Sequence, residues 1–347
     1  MIIIMEPGAT EEQIQKVAGK LKSLDFKIVF NRGEVMTVLA AIGDKRLIEP
    51  AALASMDGVR EVKLIQEPFK LSGRESKSQD TVIDLGRGVK IGGNNPTVFI
   101  AGPCSVEREL DGLLQVAQAA KEAGAQILRG GAFKPRTSPY DFQGMEEEGL
   151  KYLAEARERT GLLIATEIMD TPEIDLVASY ADILQVGARN MQNYKLLKAL
   201  GKINKPIILK RGPAASIREF LLAAEYILYG GNPNVILCER GIKGLDSHYT
   251  RNVLDIASIP VIRKYSHLPV IVDPSHATGR RYLIEPTSKA ALAAGAHGIM
   301  IEVHHDPDNA SSDGAQSLTI DQFRTLMTHL KELERVLTQL STTNPLV

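Results

Sequence analysis

Cys104, Arg129, Glu167, Arg189, Lys210, Arg240, His276 and Glu302 each stand at or just beyond the end of an apolar run in this 347-residue chain. Charge at a buried strand end is unfavourable unless it is paired or binds something, so structural ion pairing is a poor account of the whole set. The cations, joined by Lys134 and Arg136, carry the clearest signal. Guanidinium groups clamp phosphate and carboxylate oxygens with paired hydrogen bonds, and lysine adds a point charge. Several of them converging imply a substrate with more than one anionic group. Arg129, Lys134 and Arg136 fall within eight residues of the segment QILRGGAFKPRTSPYDFQG, residues 126 to 144. That segment is too rich in Gly and Pro to be a helix. Arg211, next to Lys210, is a further cation of this kind, with a solvated surface arginine as its other reading.

A second group has ligand chemistry. Cys104, His276, Glu302 and Asp313 offer a thiolate, an imidazole and two carboxylates. This mixed soft and hard set suits one divalent metal ion and leaves Mn, Fe, Co, Cu and Zn open. No short-spacing zinc motif accompanies it. Taken singly, Cys104 also reads as a small buried thiol and His276 as an oriented core histidine. Cys238 reads as a buried apolar residue, and His304 and His305 as exposed side chains. Asp246, Arg280 and Arg281 are further candidates for approaching a substrate.

The elements that must position these residues follow from periodicity. After residue 80 comes a hairpin, TVIDLGRGVKIGG. Strand candidates then alternate with helical stretches: TVFIAGP, QILRGG, LLIATEIM, DILQVGA, PIILKRG, NVILCERG, PVIVDPSH and HGIMIEVHH. Eight strand–helix units over roughly 250 residues predict a (β/α)8 barrel, whose chemistry gathers at the C-terminal ends of its strands. A doubly wound sheet is the alternative, but no GxGxxG follows an early strand. The last helix, in SLTIDQFRTLMTHLKELERVL, carries a capping-box spacing at Thr319 and Gln322.

Residues 1–70 read as a separate α+β unit. MIIIM, FKIVF, EVMTVLAAIG and VREVKLIQ are strands, TEEQIQKVAGKLKSLD and EPAALASMDG are helices, and Thr10 with Gln13 forms another capping-box spacing. A turn is expected at Asn31-Arg32-Gly33. The order β-α-β-β-α-β predicts a ferredoxin-like sandwich. Residues 71–80 are polar and aperiodic and read as a linker, with the barrel and its hairpin over 81–347.

Bulk properties narrow the function class. With 41 basic and 42 acidic residues the net charge is −1, so the chain as a whole gives no argument for nucleic acid or membrane binding. Two cysteines make no disulfide framework and suit a reducing compartment. The N-terminus has acid where a signal peptide needs a basic region, and no stretch approaches a membrane span. A cytoplasmic enzyme is the expectation.

The motifs AGPCS (101–105), LRGGAFKPRTSPYDFQG (128–144), VGARN (186–190), LKRG (209–212), LCERG (237–241), DPSH (273–276), IEVHHDP (301–307) and SDGAQSL (312–318) run in order through nearly the whole barrel. Together they resemble 3-deoxy-D-arabino-heptulosonate 7-phosphate (DAHP) synthase of the microbial type Iβ. That family condenses phosphoenolpyruvate with D-erythrose 4-phosphate at the start of the shikimate pathway of aromatic amino acid biosynthesis. The N-terminal unit resembles the ferredoxin-like regulatory domain of some members, which mediates inhibition by tyrosine or phenylalanine.

The resemblance implies roles position by position. Cys104, His276, Glu302 and Asp313 match the divalent metal ligands. Arg129, Lys134, Ala188, Arg189, Lys210 and Arg240 match the phosphoenolpyruvate site, and Arg136 and Thr137 match the group that takes the erythrose phosphate. Lys134 and His276 are the candidates for moving protons. The family also implies a homo-oligomer, expected here as a tetramer. The sister family, 3-deoxy-D-manno-octulosonate 8-phosphate synthase, takes arabinose 5-phosphate and carries a K-A-N-R-S type loop where this chain has KPRTS. A rival from another class is a non-catalytic barrel that senses phosphorylated metabolites. An intact set of Cys104, His276, Glu302 and Asp313 argues against it.

Overall fold

A computed structural model describes residues 1–33, 36–43, 48–63, 67–134, 138, 140 and 142–343. Two compact units make up the chain, Met1–Asp80 with Tyr265–His267, and Thr81–Lys264 with Leu268–Val347.

The first unit has the ferredoxin-like order: β1 (Ile2–Met5), α1 (Glu11–Lys22), β2 (Lys27–Arg32), β3 (Thr37–Ile42), α2 (Pro50–Ala54) and β4 (Val59–Lys63). The four strands form one antiparallel sheet in the order β2-β3-β1-β4. α1 forms because Ile14, Val17, Ala18 and Leu21 share one buried face and Thr10 closes a full capping box with Gln13. Its face packs with Ile3, Met5, Leu39 and Leu53 in one apolar core. The expected turn does not fall at Asn31-Arg32. Asn31 and Arg32 are still strand residues, paired with Val38 and Thr37. Two hydrogen bonds from Arg32 to the Glu11 carboxylate accompany this extension, and the Gly33 N–H donates to the Met36 carbonyl. The polar segment 71–80 is folded: Leu71, Ser72 and Ser76 are buried. Ser266 Oγ donates to the Ser72 carbonyl, and His267 Nε2 lies 2.7 Å from the Leu71 carbonyl.

The second unit opens with a hairpin, β5 (Ile83–Gly86) and β6 (Val89–Ile91). Arg87 and Gly88 both have positive φ, 52° and 78°, the backbone of a type I′ turn that matches strand twist. Eight parallel strands then close into a barrel: β7 (Val98–Gly102), β8 (Ile127–Arg129), β9 (Leu163–Ile168), β10 (Ile183–Val186), β11 (Ile207–Lys210), β12 (Val235–Glu239), β13 (Val270–Val272) and β14 (Gly298–Glu302). The helices between them are α3 (Leu110–Ala123), α4 (Glu146–Thr160), α5 (Ile174–Tyr180), α6 (Tyr194–Leu200), α7 (Ile217–Gly230) and α8 (Ser258–Tyr265). A short α9 (Pro274–Thr278) and α10 (Arg281–Ala293) follow β13, and α11 (Ile320–Thr343) follows β14. α11 starts at the expected capping box, with Thr319 and Gln322 bonded in both directions. Among the described residues no helix is long and apolar enough to cross a membrane.

The barrel interior explains where the polar residues go. Ile100, Ile127, Ala165, Ile183, Ile208, Cys238, Ile271 and Met300, one from each strand, share one buried cluster with Ile83, Leu85 and Ile91 of the hairpin. Side chains two residues apart on a strand face the same way. Two residues beyond each interior position come Gly102, Arg129, Glu167, Gln185, Lys210, Arg240, Asp273 and Glu302. Across one step the barrel lining therefore changes from apolar to charged, at the C-terminal end of every strand but β7 and β10, the latter ending on the neutral but polar Gln185. At β7 a glycine stands because an added Cβ would meet the Arg129 carbonyl oxygen at 2.0 Å.

Candidate active site

The loop after β7 brings Cys104, α9 brings His276, β14 ends on Glu302, and the following loop brings Asp313 at φ 52°. One ligand atom from each of these four lies within 4.8 Å of all the others. Cys104 Sγ is 3.2 Å from Asp313 Oδ2, and His276 Nε2 is 3.2 Å from Glu302 Oε1 and 3.9 Å from Asp313 Oδ2. Burial first, and then the Glu302 carboxylate, push the Cys104 thiol up to about 11, against the pull of Lys134. The thiol is therefore protonated in the metal-free chain.

His276 is oriented from behind. Its Nδ1 lies 2.7 Å from Asp273 Oδ2, and its backbone N–H is capped by Asp273 Oδ1. Burial lowers the ring's pKa against the raising influence of Asp273 and Glu302. With the proton on Nδ1 held by Asp273, the Nε2 lone pair faces Glu302 Oε1, a second acceptor. Two acceptors at 3.2 Å, with a thiol and another carboxylate beside them, form a slot that fits a cation. Burial alone would raise the pKa of Asp273, but His276 and then Lys210, whose Nζ is 2.6 Å away, hold it well below the usual carboxylate range.

The loop carrying Asp313 is tied down at several points. Ser311 N–H donates to Glu107, the Ser312 and Ser105 hydroxyls share a short hydrogen bond, and Arg251 Nη1 reaches Asp313 Oδ1 at 3.3 Å. Gln316 Nε2 donates to Glu302 Oε2. Lys134 Nζ sits 3.1 Å from Cys104 Sγ and 3.0 Å from the Cys104 carbonyl. Arg129 is buried against Glu302 and the same carbonyl.

Beside the cluster a cavity of about 500 Å³ is lined by Lys134, Glu167, Ala188, Arg189, Lys210 and Arg240, and by His276 and Asp313 of the donor set. Arg240 is only 7% exposed, yet among the described residues no hydrogen bond or ion pair engages its guanidinium. Burial lowers its pKa, opposed chiefly by Asp273. Glu167 likewise lines the wall without a hydrogen bond or ion pair among the described residues. A buried guanidinium and several ammonium and guanidinium groups around one space form an anion site, and the donor set stands at its edge.

Several sequence candidates sit elsewhere. Arg136 and Thr137 lie outside the described residues. Arg211 is no part of the cavity wall: its Nη1 bonds Glu239 and Asp255 at 2.9 Å each, and its Nε donates to the Ala215 carbonyl. Strand parity decides this, because Arg211 follows inward-facing Lys210 and points the opposite way. Arg280 donates to the His248 and Tyr249 carbonyls, and Arg281 to Asp308 and the Gly314 carbonyl, so both brace loops. Asp246 caps its own exposed turn. His304 is buried, stacked on His305, with Nε2 3.5 Å from Glu107. The expectation of exposure fails there because the Val303 N–H donates to the Gly102 carbonyl of β7 and the His304 N–H to the Leu318 carbonyl, which holds the chain against the barrel rim. Cys238 is a buried interior residue, as expected. Sequence reasoning gave no role to Asp273, Gln185, Arg251 or Gln316. Asp273 was signalled by its place three residues before His276 in DPSH, the N-cap spacing.

Comparison with known proteins gives matches over both units. The DAHP synthetase I family matches residues 77–339, and the DAHP synthase ferredoxin-like domain matches residues 1–67. The phospho-2-dehydro-3-deoxyheptonate aldolase of Thermotoga maritima is 50% identical over 96% of this chain and 97% of its own. A crystal structure of the T. maritima enzyme, also called DAHP synthase, aligns with a TM-score of 0.77 at 49% identity, covering 97% of each chain. The 2-dehydro-3-deoxyphosphooctonate aldolase of Syntrophotalea carbinolica is 32% identical over 72% of this chain and 94% of its own.

Proposed function

The chain belongs to the DAHP synthetase I family and is a DAHP synthase, and we propose that its cavity condenses phosphoenolpyruvate with D-erythrose 4-phosphate and water to give DAHP and phosphate. The observation that carries this reading is the buried Arg240 guanidinium, without a protein partner among the described residues, in a cationic cavity that also holds the four-donor cluster. Arg129, Lys134, Arg189, Lys210 and Arg240, with Ala188, hold the phosphate and carboxylate of phosphoenolpyruvate. Arg136 and Thr137, assigned by family motif alone, take the sugar phosphate. Two polyanions repel each other, and a fixed cationic wall removes that part of the barrier by holding them in contact.

Cys104, His276, Glu302 and Asp313 hold one divalent metal ion, which when bound supplies Lewis-acid polarisation beside the aldehyde. C3 of phosphoenolpyruvate forms the new bond to the aldehyde carbon, and the carbonyl electron pair moves to its oxygen. Lys134, which faces both the cavity and Cys104, donates the proton that this oxygen takes up. His276 stays committed to the donor set, since Asp273 fixes its other nitrogen. Water adds at C2, which the loss of the C3 electron pair leaves electron-poor, and Glu167 receives one of its protons. Phosphate then leaves by C–O cleavage with the bonding pair, as the C2 hydroxyl becomes the ketone and passes its remaining proton to the departing phosphate.

Phosphoenolpyruvate consumption by metal-loaded protein, with erythrose 4-phosphate and arabinose 5-phosphate in parallel, tests the reading. Strong preference for the four-carbon sugar, abolished by a chelator, is expected. Preference for arabinose 5-phosphate would move the chain to the sister reaction, and no turnover with either sugar would favour a sensor. The N-terminal unit, residues 1–70, binds tyrosine or phenylalanine and transmits inhibition within a homotetramer. That part fails if a chain starting near Asp80 is as sensitive to both amino acids as the full-length protein, or if the full-length enzyme ignores both.

A further inference from the structure

Each carboxylate of the donor cluster offers it one oxygen only, and the other oxygen is held from outside. Glu302 turns Oε1 toward His276 Nε2 and Arg129, while Oε2 accepts a hydrogen bond from Gln316 Nε2. Asp313 turns Oδ2 toward Cys104 and His276, while Oδ1 accepts from Arg251 Nη1. The two outer contacts are joined, because the same Arg251 Nη1 donates to Gln316 Oε1 at 3.0 Å. The chain of contacts runs Glu302 Oε2, Gln316, Arg251, Asp313 Oδ1. Its polarity is fixed. A carboxylate accepts only and a guanidinium donates only, so the Gln316 amide must place its NH2 on Glu302 and its oxygen on Arg251. Gln316 is 3% exposed, so water does not readily replace either contact.

We propose that Gln316, acting with Arg251, is a positioning residue that holds Glu302 and Asp313 as one-oxygen ligands and so keeps the metal at four protein donors. This rests on the metal-site reading above and goes beyond it by assigning what sets the site's coordination number and affinity. A carboxylate released at its outer oxygen is free to swing both oxygens onto a metal or to leave it, and either change alters the ligand field. Only an amide serves at position 316. A carboxylate there would confront Glu302 with like charge, and an apolar side chain would leave Glu302 Oε2 and the Arg251 guanidinium without these partners.

The test uses the full-length chain stripped of metal, titrated with Mn2+ by calorimetry, and with Co2+ by visible absorption. Gln316→Met keeps the side-chain length and removes both polar contacts. Arg251→Met breaks the same bridge at a half-exposed residue where folding is not at stake. Loss of outer-sphere partners typically weakens metal binding 10- to 100-fold. We expect the Mn2+ dissociation constant to rise by roughly that factor in Gln316→Met, and in the same direction in Arg251→Met. The Co2+ visible spectrum should change in band position and intensity, since either rearrangement of the carboxylates alters the ligand field. A Gln316→Glu chain should bind no better than Gln316→Met. Wild-type affinity and an unchanged Co2+ spectrum in both methionine variants would overturn the proposal. Failure of the unaltered chain to bind either metal would overturn the metal-site reading itself, and the proposal with it.

Discussion

Replacing Glu239 by Leu should cost the barrel several kcal/mol although Glu239 does not line the cavity. Its carboxylate is fully buried. Oε1 accepts from the Gly241 N–H at 2.7 Å, and Oε2 accepts from Arg211 Nη1 at 2.9 Å and from Ser258 Oγ at 3.4 Å. Arg211 is 4% exposed, so Leu at 239 leaves a buried guanidinium with Asp255 as its remaining carboxylate partner. Breaking one side of such a pair costs about 3–5 kcal/mol. For a domain of this size each kcal/mol lowers the melting temperature by about 2–4 °C, so a fall of roughly 6–20 °C is expected by calorimetry. The double variant Arg211→Met with Glu239→Leu removes both charges and should recover most of that loss, because a buried pair exchanged for apolar groups is often near neutral. A fall in stability under about 1 kcal/mol for Glu239→Leu, or strictly additive losses in the double variant, would refute the assignment of Arg211 to structure.

Three further expectations follow from the geometry. Arg240→Met should raise the KM for phosphoenolpyruvate by about 30- to 1,000-fold, the range of about 2–4 kcal/mol for a buried charge-assisted contact, with little change in melting temperature. An unchanged KM would remove Arg240 from the substrate wall. Co2+-loaded protein should show a thiolate-to-cobalt absorption band that is absent from Cys104→Ser, and a band that survives the substitution would exclude Cys104 as a ligand. Burial lowers the His267 pKa from 6.5 to about 4, so the unfolded chain binds the extra proton between those values. Stability from the neutral, buried ring is complete above pH 6.5 and is lost as pH falls toward 4, by an amount on the order of 3 kcal/mol. Thermal melts at pH 7 and pH 5 should show a larger acid penalty for the unaltered chain than for His267→Gln, and equal penalties would contradict this.

Much of the fold is legible in the sequence itself. Both capping boxes, at Thr10 and Thr319, are local chemistry, and the eight apolar runs are long enough to declare themselves as strands. What could not be read was direction. Lys210 and Arg211 are adjacent cations in sequence, and Arg240 directly follows another charged residue, Glu239. Only the interior register, fixed by Ile208 and Cys238, sends one of each pair into the cavity and the other toward the surrounding helices. The partners of the donor cluster were hidden for another reason. Arg251 and Gln316 come from different loops, 65 residues apart, and meet only when the barrel closes. His304 follows an apolar strand end and looked solvated, yet its loop folds back over the rim and buries it.

Asp273 Oδ2 accepts from two donors, His276 Nδ1 and Lys210 Nζ. One oxygen is thereby shared between the imidazole of the donor cluster and an ammonium of the cationic wall. An anion that draws Lys210 toward itself weakens the ammonium's claim on that oxygen and leaves the carboxylate freer to polarise His276, whose Nε2 becomes the better donor. A cation that draws charge out of the imidazole strengthens the His276 contact and frees Lys210 for the anion. If the donor cluster takes a cation and the wall an anion, the two uptakes would be thermodynamically linked through a single atom, and linkage is symmetric: whatever factor the anion adds to the affinity for the cation, the cation returns to the anion. Cooperative loading then requires no hinge, no lid and no second conformation.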